Sequence, residues 1–331
     1  MLVTLGDRPA ADSPASAVVN ACHVSPIVDD LDRTARFYHD LLGMDLMPPP
    51  PPGSLPVDTD PGHLLLHGMP GARLRFIQAR IPGVRCGIEL VELANIDRHA
   101  IRRAPADPGS VTLVLTVRDL DSVFEALKRA SVPVVTSGGA PLWIGGTRPH
   151  RAVRVQDPDG QFVELEQLKT ALPTTVPAAS NVIGISLRLT VADLDQSVAF
   201  YERLLSIRGT AGPFENDRDR LALAGLPPSG QVRTAMVPIP GSSRTLELIQ
   251  FRGVPSAATA APSRVQDPGS YRLQLTFRDI DAALAVLAGS GLRTISTGGG
   301  PVRMTFGGGR PWQLAIVPDP SNLFLIVQQA P

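Results

Sequence analysis

The sequence predicts an α+β fold in which four related modules pair into two tandem domains. A five-residue phrase, V-D-D-L-D with close variants, follows a short apolar strand and opens an amphipathic helix. It occurs four times, at residues 28–32, 117–121, 191–195 and 277–281. Copies one and three share F-Y and L-L pairs in the helix, and copies two and four share an upstream D-P-G-S. The repeat therefore has the order A-B-A′-B′, which indicates two domains of two related halves each.

Within the modules, the positions of helices and strands follow from caps and apolar periodicity. Asp30 is expected to cap the first helix. The strands of the first module are expected near 63–68, 74–79 and 87–93, and the proline run Pro48–Pro52 is expected to be a stiff rim loop. The second module is expected to have its helix at Asp119–Ala130 and strands near Val111–Val117, Val134, Leu142, Ala152 and Phe162.

The chain length of 331 residues is enough for two domains of ordinary size. The segment boundaries follow the repeat and the Pro-rich stretches. We expect a flexible Pro/Ala/Ser-rich arm at 1–19, a first domain at 20–168 with modules 20–98 and 110–168, a linker at 169–181, and a second domain at 182–331 with modules 182–252 and 270–331.

Composition excludes several classes of partner. Lys plus Arg equals Asp plus Glu at 31 each, and no basic run is present, so nucleic acid and anionic membranes are poor partners. No apolar run approaches the roughly 20 residues that a membrane span needs. The first 19 residues lack a signal peptide pattern, so we expect a cytoplasmic protein. Cys22 and Cys86 are expected to be buried thiols.

Three of the four modules contain a strand with one carboxylate between two aliphatic residues. Side chains alternate along a strand, so if the aliphatic neighbours pack under the helix, the carboxylate faces the other side of the sheet. We expect Glu92 and Glu166 on the opposite face from these carboxylates, unless a bulge shifts the register. The carboxylates are Glu89, Glu164 and Glu247, and Ile326 stands at the fourth position.

These motifs together resemble a known superfamily. A strand with His23, the D-L-D helix start, F-Y-x-x-L-L-G and the closing D-P-D-G-x-x-V-E-L resemble the vicinal oxygen chelate superfamily, with its glyoxalase/bleomycin-resistance/dioxygenase fold. The resemblance covers nearly everything from Ala21 to Gln329. It implies four βαβββ modules, paired so that each domain encloses a half-open β cup.

The resemblance also implies a metal held by four strand positions, two from each module. In the first domain these positions carry His23, Glu89, Thr112 and Glu164. One imidazole and two carboxylates suit one divalent ion of Fe, Mn, Zn or Ni, and Thr112 leaves a position to water or substrate. In the second domain the positions carry Ser186, Glu247, Arg272 and Ile326, which should not hold a divalent metal.

The leading functional hypothesis is therefore a metal-dependent lyase or isomerase of the glyoxalase or epimerase kind, working in the first domain. The metal would bind vicinal oxygens of a small substrate and stabilise an enolate, with Glu89 or Glu164 carrying the proton. His150 is either an exposed loop residue or an acid/base at the cup mouth. A ring-cleaving dioxygenase is a weaker alternative, since such enzymes keep their ligands in the second domain.

The alternative from another class is a metal-free protein that binds or sequesters a small molecule. Relatives that sequester drugs use the same cup without metal. Arg272 replaces a ligand position and is expected to pair with Glu247 or, failing that, with a substrate carboxylate. Whether two chains form a homodimer is left open.

Overall fold

A computed structural model of the chain describes residues 18–47, 55–84, 87–146, 148–171, 174–242, 244–257, 259, 262–306 and 309–331. The proline run Pro48–Pro52 and residues 1–17 of the expected arm lie outside these ranges. Val18 and Val19 belong to the first strand rather than to an arm, so that boundary was two residues too late. Among the described helices, none has the length and apolar character to cross a bilayer.

All four modules fold as a strand, a helix and further strands. The first contains β1 (Val18–Pro26), α1 (Leu31–Arg36, extended by a π-helical turn at Phe37–Leu41), β2 (Asp45–Met47), α2 (Pro61–Leu66), β3 (Arg73–Arg80) and β4 (Ile88–Ala94). The second contains β5 (Val111–Val117), α3 (Leu120–Arg129), β6 (Leu142–Ile144), β7 (His150–Gln156) and β8 (Phe162–Leu168). The third contains β9 (Val182–Thr190), α4 (Leu194–Leu205), α5 (Arg218–Leu223), β10 (Gln231–Pro238) and β11 (Thr245–Arg252). The fourth contains β12 (Tyr271–Phe277), α6 (Ile280–Gly289), β13 (Val302–Met304), β14 (Trp312–Pro318) and β15 (Phe324–Gln329).

The repeated phrase starts each main helix as expected. Its aspartate side chain accepts a hydrogen bond from the backbone N–H three residues further on, which satisfies one of the unpaired donors of the first turn. The capping residues are Asp30, Asp119, Asp193 and Asp279.

One predicted strand of the first module is wrong. The stretch 63–68 lies in and just after helix α2, because Asp60 caps a helix that has Pro61 in its first turn. Val134 forms only an isolated bridge with Val155. The remaining strands of modules one and two are confirmed, with small shifts at their ends.

The strands form two curled mixed sheets, which confirms the α+β fold of four modules. The eight-stranded sheet has the order β13-β14-β15-β12-β1-β4-β3-β2, and the seven-stranded sheet has the order β10-β11-β9-β5-β8-β7-β6. Each half-open sheet therefore contains two modules. The first sheet joins modules one and four through β1 and β12, and the second joins modules two and three through β5 and β9.

This pairing differs from the expected pairing of modules that are consecutive in the chain. The four modules share one local sequence pattern, and that pattern does not determine which two modules pair through their first strands. Consecutive modules contact each other instead through their D-P turns. Asp159 in the turn of module two accepts hydrogen bonds from Thr34 Oγ1 at 2.5 Å and from the Asp29 backbone N–H at 3.0 Å. In the other half, Tyr201 donates to Asp319 at 2.7 Å.

The main apolar core brings together residues of all four modules. It contains side chains of the first strands and helices, such as Leu31, Leu120, Leu194 and Ile280. Smaller apolar clusters cover the opposite face of each sheet, where α2 packs on the eight-stranded sheet and α5 on the seven-stranded sheet. We call these two opposite faces cup A and cup B, respectively.

The expectation of reduced cysteines is contradicted at Cys22, which takes part in a disulfide bond. Cys86 lies outside the residues that the structure describes.

The crossed pairing makes a testable prediction about truncation. A chain that ends at Lys169 keeps β1 and β5 but lacks their partners β12 and β9, so two inner strands become open edges. We expect this fragment to aggregate or to associate rather than to be a folded monomer, as measured by analytical ultracentrifugation and circular dichroism. A folded monomer would show that modules one and two pair with each other.

Candidate functional site

The crossed pairing divides the expected metal ligands between the two cups. Ile88 and Leu90 lie in the main core, so Glu89 between them faces cup A. Val163 and Leu165 also lie in the main core, so Glu164 faces cup B. The predicted faces of both carboxylates are correct. However, the structure does not bring Glu164 together with His23 and Glu89.

In cup A, Glu89 and His23 each accept a hydrogen bond from a neighbouring residue. Ser25 Oγ donates to Glu89 Oε2 at 3.0 Å, and the Gly87 backbone N–H donates to His23 Nδ1 at 3.2 Å. Burial raises the pKa of Glu89, but the charges of His23 and Arg272 outweigh it, so the net pKa is lower than usual. Burial lowers the pKa of His23, and the neighbouring Glu89 only partly offsets this effect.

Arg272 lies on the floor of cup A, directly opposite Ser25 across the β1–β12 ladder. Its side chain is buried, with a residue exposure of 1%. Nε donates to the Ser25 carbonyl at 3.4 Å, and Nη1 contacts His67 Nε2. The expected ion pair with Glu247 is wrong, because Glu247 lies on β11 in the other sheet.

Cup B contains a buried network of guanidinium and carboxylate groups. Arg188 lies at its centre, donating from Nη1 to Glu164 Oε2 at 2.5 Å and from Nε to Glu247 Oε2 at 2.7 Å. Arg154 donates to the same Glu164 oxygen at 2.9 Å. Arg220 on α5 donates to Glu247 Oε1 at 2.7 Å, which ties the short helix to the floor. Each of these two carboxylates is thus bound by two arginines.

This network keeps its carboxylates ionised. Burial raises the pKa of Glu164, but Arg188 and Arg154 outweigh burial and lower it to about 2. The pKa of Glu247 is lowered in the same way, because Arg188 and Arg220 outweigh its burial. A carboxylate with such a low pKa is a weak base near neutral pH.

Three potential metal ligands meet next to this network. His150, Glu164 and Glu166 each offer one ligand atom, and these atoms lie within 4.8 Å of one another. His150 Nδ1 is 2.8 Å from the Arg148 carbonyl, which favours a tautomer with a proton on Nδ1 and a lone pair on Nε2. Glu166 Oε1 accepts from Thr116 and Arg148 at 2.8 Å each, and its Oε2 is 3.9 Å from His150 Nε2.

Glu164 completes this group because only one of its oxygens is used by the arginines. Its Oε1 is buried and has no hydrogen-bond partner in the described part of the chain. A buried carboxylate oxygen without a partner is costly unless it meets a proton or a cation. His150, Glu164 and Glu166 are therefore a possible His/Glu/Glu metal site.

Glu166 lies on the other face from the one expected, Glu92 lies on the expected face, and one of the two interpretations of His150 is excluded. Glu166 is on the same face as Glu164, because residues two apart on a strand share a face. His150 is a buried residue of β7 rather than an exposed loop residue. Glu92 does face away from cup A. On the helix side of the sheet it binds Arg75 and the N-terminus of α1.

Several functional residues were missed by the sequence analysis although weak signals were present. Arg188 follows Ser186 by two positions and therefore shares its strand face. His67 follows His63 by four positions, which is one helical turn, and Pro61 after Asp60 indicated a helix there.

In the resembled family, four strand positions hold a metal. In this chain, the residues at those positions do not form a metal site in either cup. Cup A has His23 and Glu89 at these positions but also the guanidinium of Arg272 and the apolar Ile326. In cup B, Glu164 and Glu247 are bound by arginines, and the other two positions carry hydroxyl groups. Thr112, one of these two, is buried and lies opposite Arg188 in the β5–β9 register. The possible site with His150 therefore lies beside the family positions and shares only Glu164 with them.

The fold and the paired cups define an α+β protein of the glyoxalase type. Residues 22–165 match the model of the Glyoxalase/Bleomycin resistance protein/Dioxygenase superfamily. No curated protein sequence is significantly similar to the chain.

Solved structures with the same fold cover almost the whole chain. Glyoxalase I from Zea mays is 17% identical with a TM-score of 0.56, covering 95% of this chain and 92% of that one. A dioxygenase-like protein from Bacillus subtilis is 12% identical with a TM-score of 0.53, covering 95% and 86%. Identities this low support the fold and nothing finer.

The arginine network predicts how stability depends on pH. The pKa of Glu164 lies below its unfolded value of 4.5, so its ion pairs stabilise the protein fully above pH 4.5 and are lost as the pH falls towards 2. We expect these ion pairs to contribute about 3 kcal/mol to the free energy of unfolding.

The variant Glu164→Gln should lower the free energy of unfolding by about 3 to 5 kcal/mol near neutral pH, because it leaves two buried guanidiniums without their shared partner.

Urea denaturation at several pH values measures both effects. Glu125→Gln is the matched control, because Glu125 is exposed and pairs only with Lys128 on the helix surface; we expect it to change stability by less than about 0.5 kcal/mol. Equal stabilities of the Glu164 and Glu125 variants would contradict the structural role of the network.

Proposed function

We propose that the protein is a divalent-metal-dependent enzyme that acts on a small molecule in cup B, with His150, Glu164 and Glu166 as the metal ligands. The observation that supports this most strongly is the convergence of one potential ligand atom from each of these residues within 4.8 Å. Relatives with the glyoxalase fold act on small-molecule substrates, and members commonly bind a divalent metal. A lyase or isomerase reaction at a carbon next to a carbonyl suits this arrangement.

A bound divalent ion would supply Lewis-acid stabilisation of an enolate. The residues of the chain would do the rest. The Arg148 carbonyl would hold His150 in the tautomer that presents Nε2, and Arg154 and Arg188 would keep Glu164 ionised. Glu166 would carry the proton, because Glu164, with a pKa of about 2, is a poor base. Thr112 would contact the substrate on the floor of the cup.

The second candidate function is metal-free binding of a small molecule. It is supported by the balance of charge in cup B, where four guanidinium groups face three carboxylates and repel a further cation. The guanidiniums are those of Arg148, Arg154, Arg188 and Arg220, and the carboxylates are those of Glu164, Glu166 and Glu247. The metal content of the protein separates the two candidates.

Metal binding to the full chain tests the proposal. We expect chelator-treated protein to bind about one Mn²⁺, Ni²⁺, Fe²⁺ or Zn²⁺ per chain, measured by calorimetry and elemental analysis. His150→Ala and Glu166→Gln should each weaken binding by about tenfold or more, because each removes one of three ligands.

His23→Ala is the matched control, since it removes an imidazole from the family position in cup A; it should bind metal as the unmodified chain does. If His23→Ala loses the metal while His150→Ala keeps it, the site in cup B is not the metal site. A chain that binds none of the four ions would support the metal-free alternative.

A further inference from the structure

Arg272 is a buried cation that forms no ion pair with a described carboxylate. Every other buried arginine named above pairs with a carboxylate, but no carboxylate of the described residues forms an ion pair with Arg272. Its Nη2 is buried and has no hydrogen-bond partner within the described ranges. Burial lowers the pKa of Arg272 to about 10, and Glu89 only partly opposes this effect. A desolvated guanidinium of this kind is costly unless it meets an anion.

The described groups around Arg272 leave its Nη2 without an acceptor. His67 donates from Nδ1 to the His63 carbonyl at 2.7 Å, so its Nε2 is a neutral acceptor for Arg272 Nη1. Burial and the charge of Arg272 both lower the pKa of His67, which keeps it uncharged. Glu89 is a nearby negative charge, but it accepts a hydrogen bond from Ser25, and among the described residues no ion pair joins it to Arg272.

We propose that Arg272 anchors a second ligand site in cup A, which takes a small monocarboxylate with an apolar body. A carboxylate oxygen would accept from Nη2, the donor that has no partner, and the planar fork of the guanidinium suits carboxylate geometry. This site is separate from the group in cup B, and it does not depend on metal binding there.

The surroundings of Arg272 decide what the rest of the ligand is like. Phe324 lies beside Arg272 in the parallel β12–β15 register, and Ile326 follows on the same face. Both belong to an apolar cluster with Leu66 of α2 and Met304 of β13. A ligand whose carboxylate meets Arg272 therefore has its body among aliphatic and aromatic side chains. A second negative charge on the ligand is disfavoured by Glu89.

Helix α2 covers this site. A Cβ added at Gly62 would lie 3.0 Å from the Met304 side chain, so the helix packs directly on β13. His67, which follows α2, is the residue that contacts Arg272. Because the guanidinium is closed off by this segment, we expect ligand entry to displace residues 61–67.

Binding of phenylacetate to the full chain tests this site, with phenylacetamide as the uncharged probe of equal shape. We expect calorimetry to show phenylacetate binding about tenfold or more tighter than the amide. Arg272→Met should remove this preference and leave amide binding unchanged. Arg303→Met is the matched control, because Arg303 is an exposed arginine of β13 in the same sheet, and it should keep the preference.

A second variant keeps the test decisive if Arg272→Met does not fold. Glu89→Gln removes the negative charge next to Arg272, so it should bind phenylacetate several-fold more tightly and should also accept the dianion phenylmalonate. Hydrogen exchange of residues 61–67 should change when phenylacetate binds. The proposal is overturned if acetate, hexanoate and phenylacetate all fail to bind, if carboxylate and amide bind equally, or if Glu89→Gln has no effect.

Discussion

Two antiparallel strand pairs, β1 with β12 and β5 with β9, determine the rest of this structure. Each joins the first strands of two modules at the centre of a sheet, so it decides which side chains meet on a cup floor. In the first pair Ser25 lies opposite Arg272, and in the second Thr112 lies opposite Arg188. A shift of one residue in either ladder would turn these side chains into the main core, where an arginine has no partner. The registers are therefore as important for the two sites as the residues themselves.

The two cups use the same guanidinium chemistry with different results. Arg188 in cup B binds two carboxylates on neighbouring strands, so its charge is compensated within the protein. Arg272 in cup A has acceptors that are neutral, a carbonyl and an imidazole. Ion pairs of this kind rigidify a floor, whereas a buried guanidinium with an unpaired donor favours an anionic ligand. We therefore expect cup B to be the more rigid of the two and cup A to depend more on what it binds.

The sequence was sufficient for the local structure and insufficient for the assembly. Apolar periodicity and the capping aspartates such as Asp30 predicted the four modules and their main helices, because these features depend on neighbours in the chain. The faces of Glu89 and Glu164 followed from strand alternation. Their separation into different sheets could not be predicted, because every module carries the same pattern and pairing depends on which edges meet in space. The disulfide at Cys22 and the burial of His150 likewise depend on contacts distant in sequence.

The division of the modules between the sheets has a consequence for synthesis on the ribosome. The strands of the seven-stranded sheet all lie between residues 111 and 252, so that sheet can form before the chain is complete. The eight-stranded sheet needs β12 to β15 at the end of the chain. Residues 95–270 separate its two halves, which corresponds to roughly 9 to 35 s of translation at common rates. During this interval β1 has an open edge, because its partner β12 has not yet been made, so the nascent first module is open to strand pairing with other chains until the fourth module is complete.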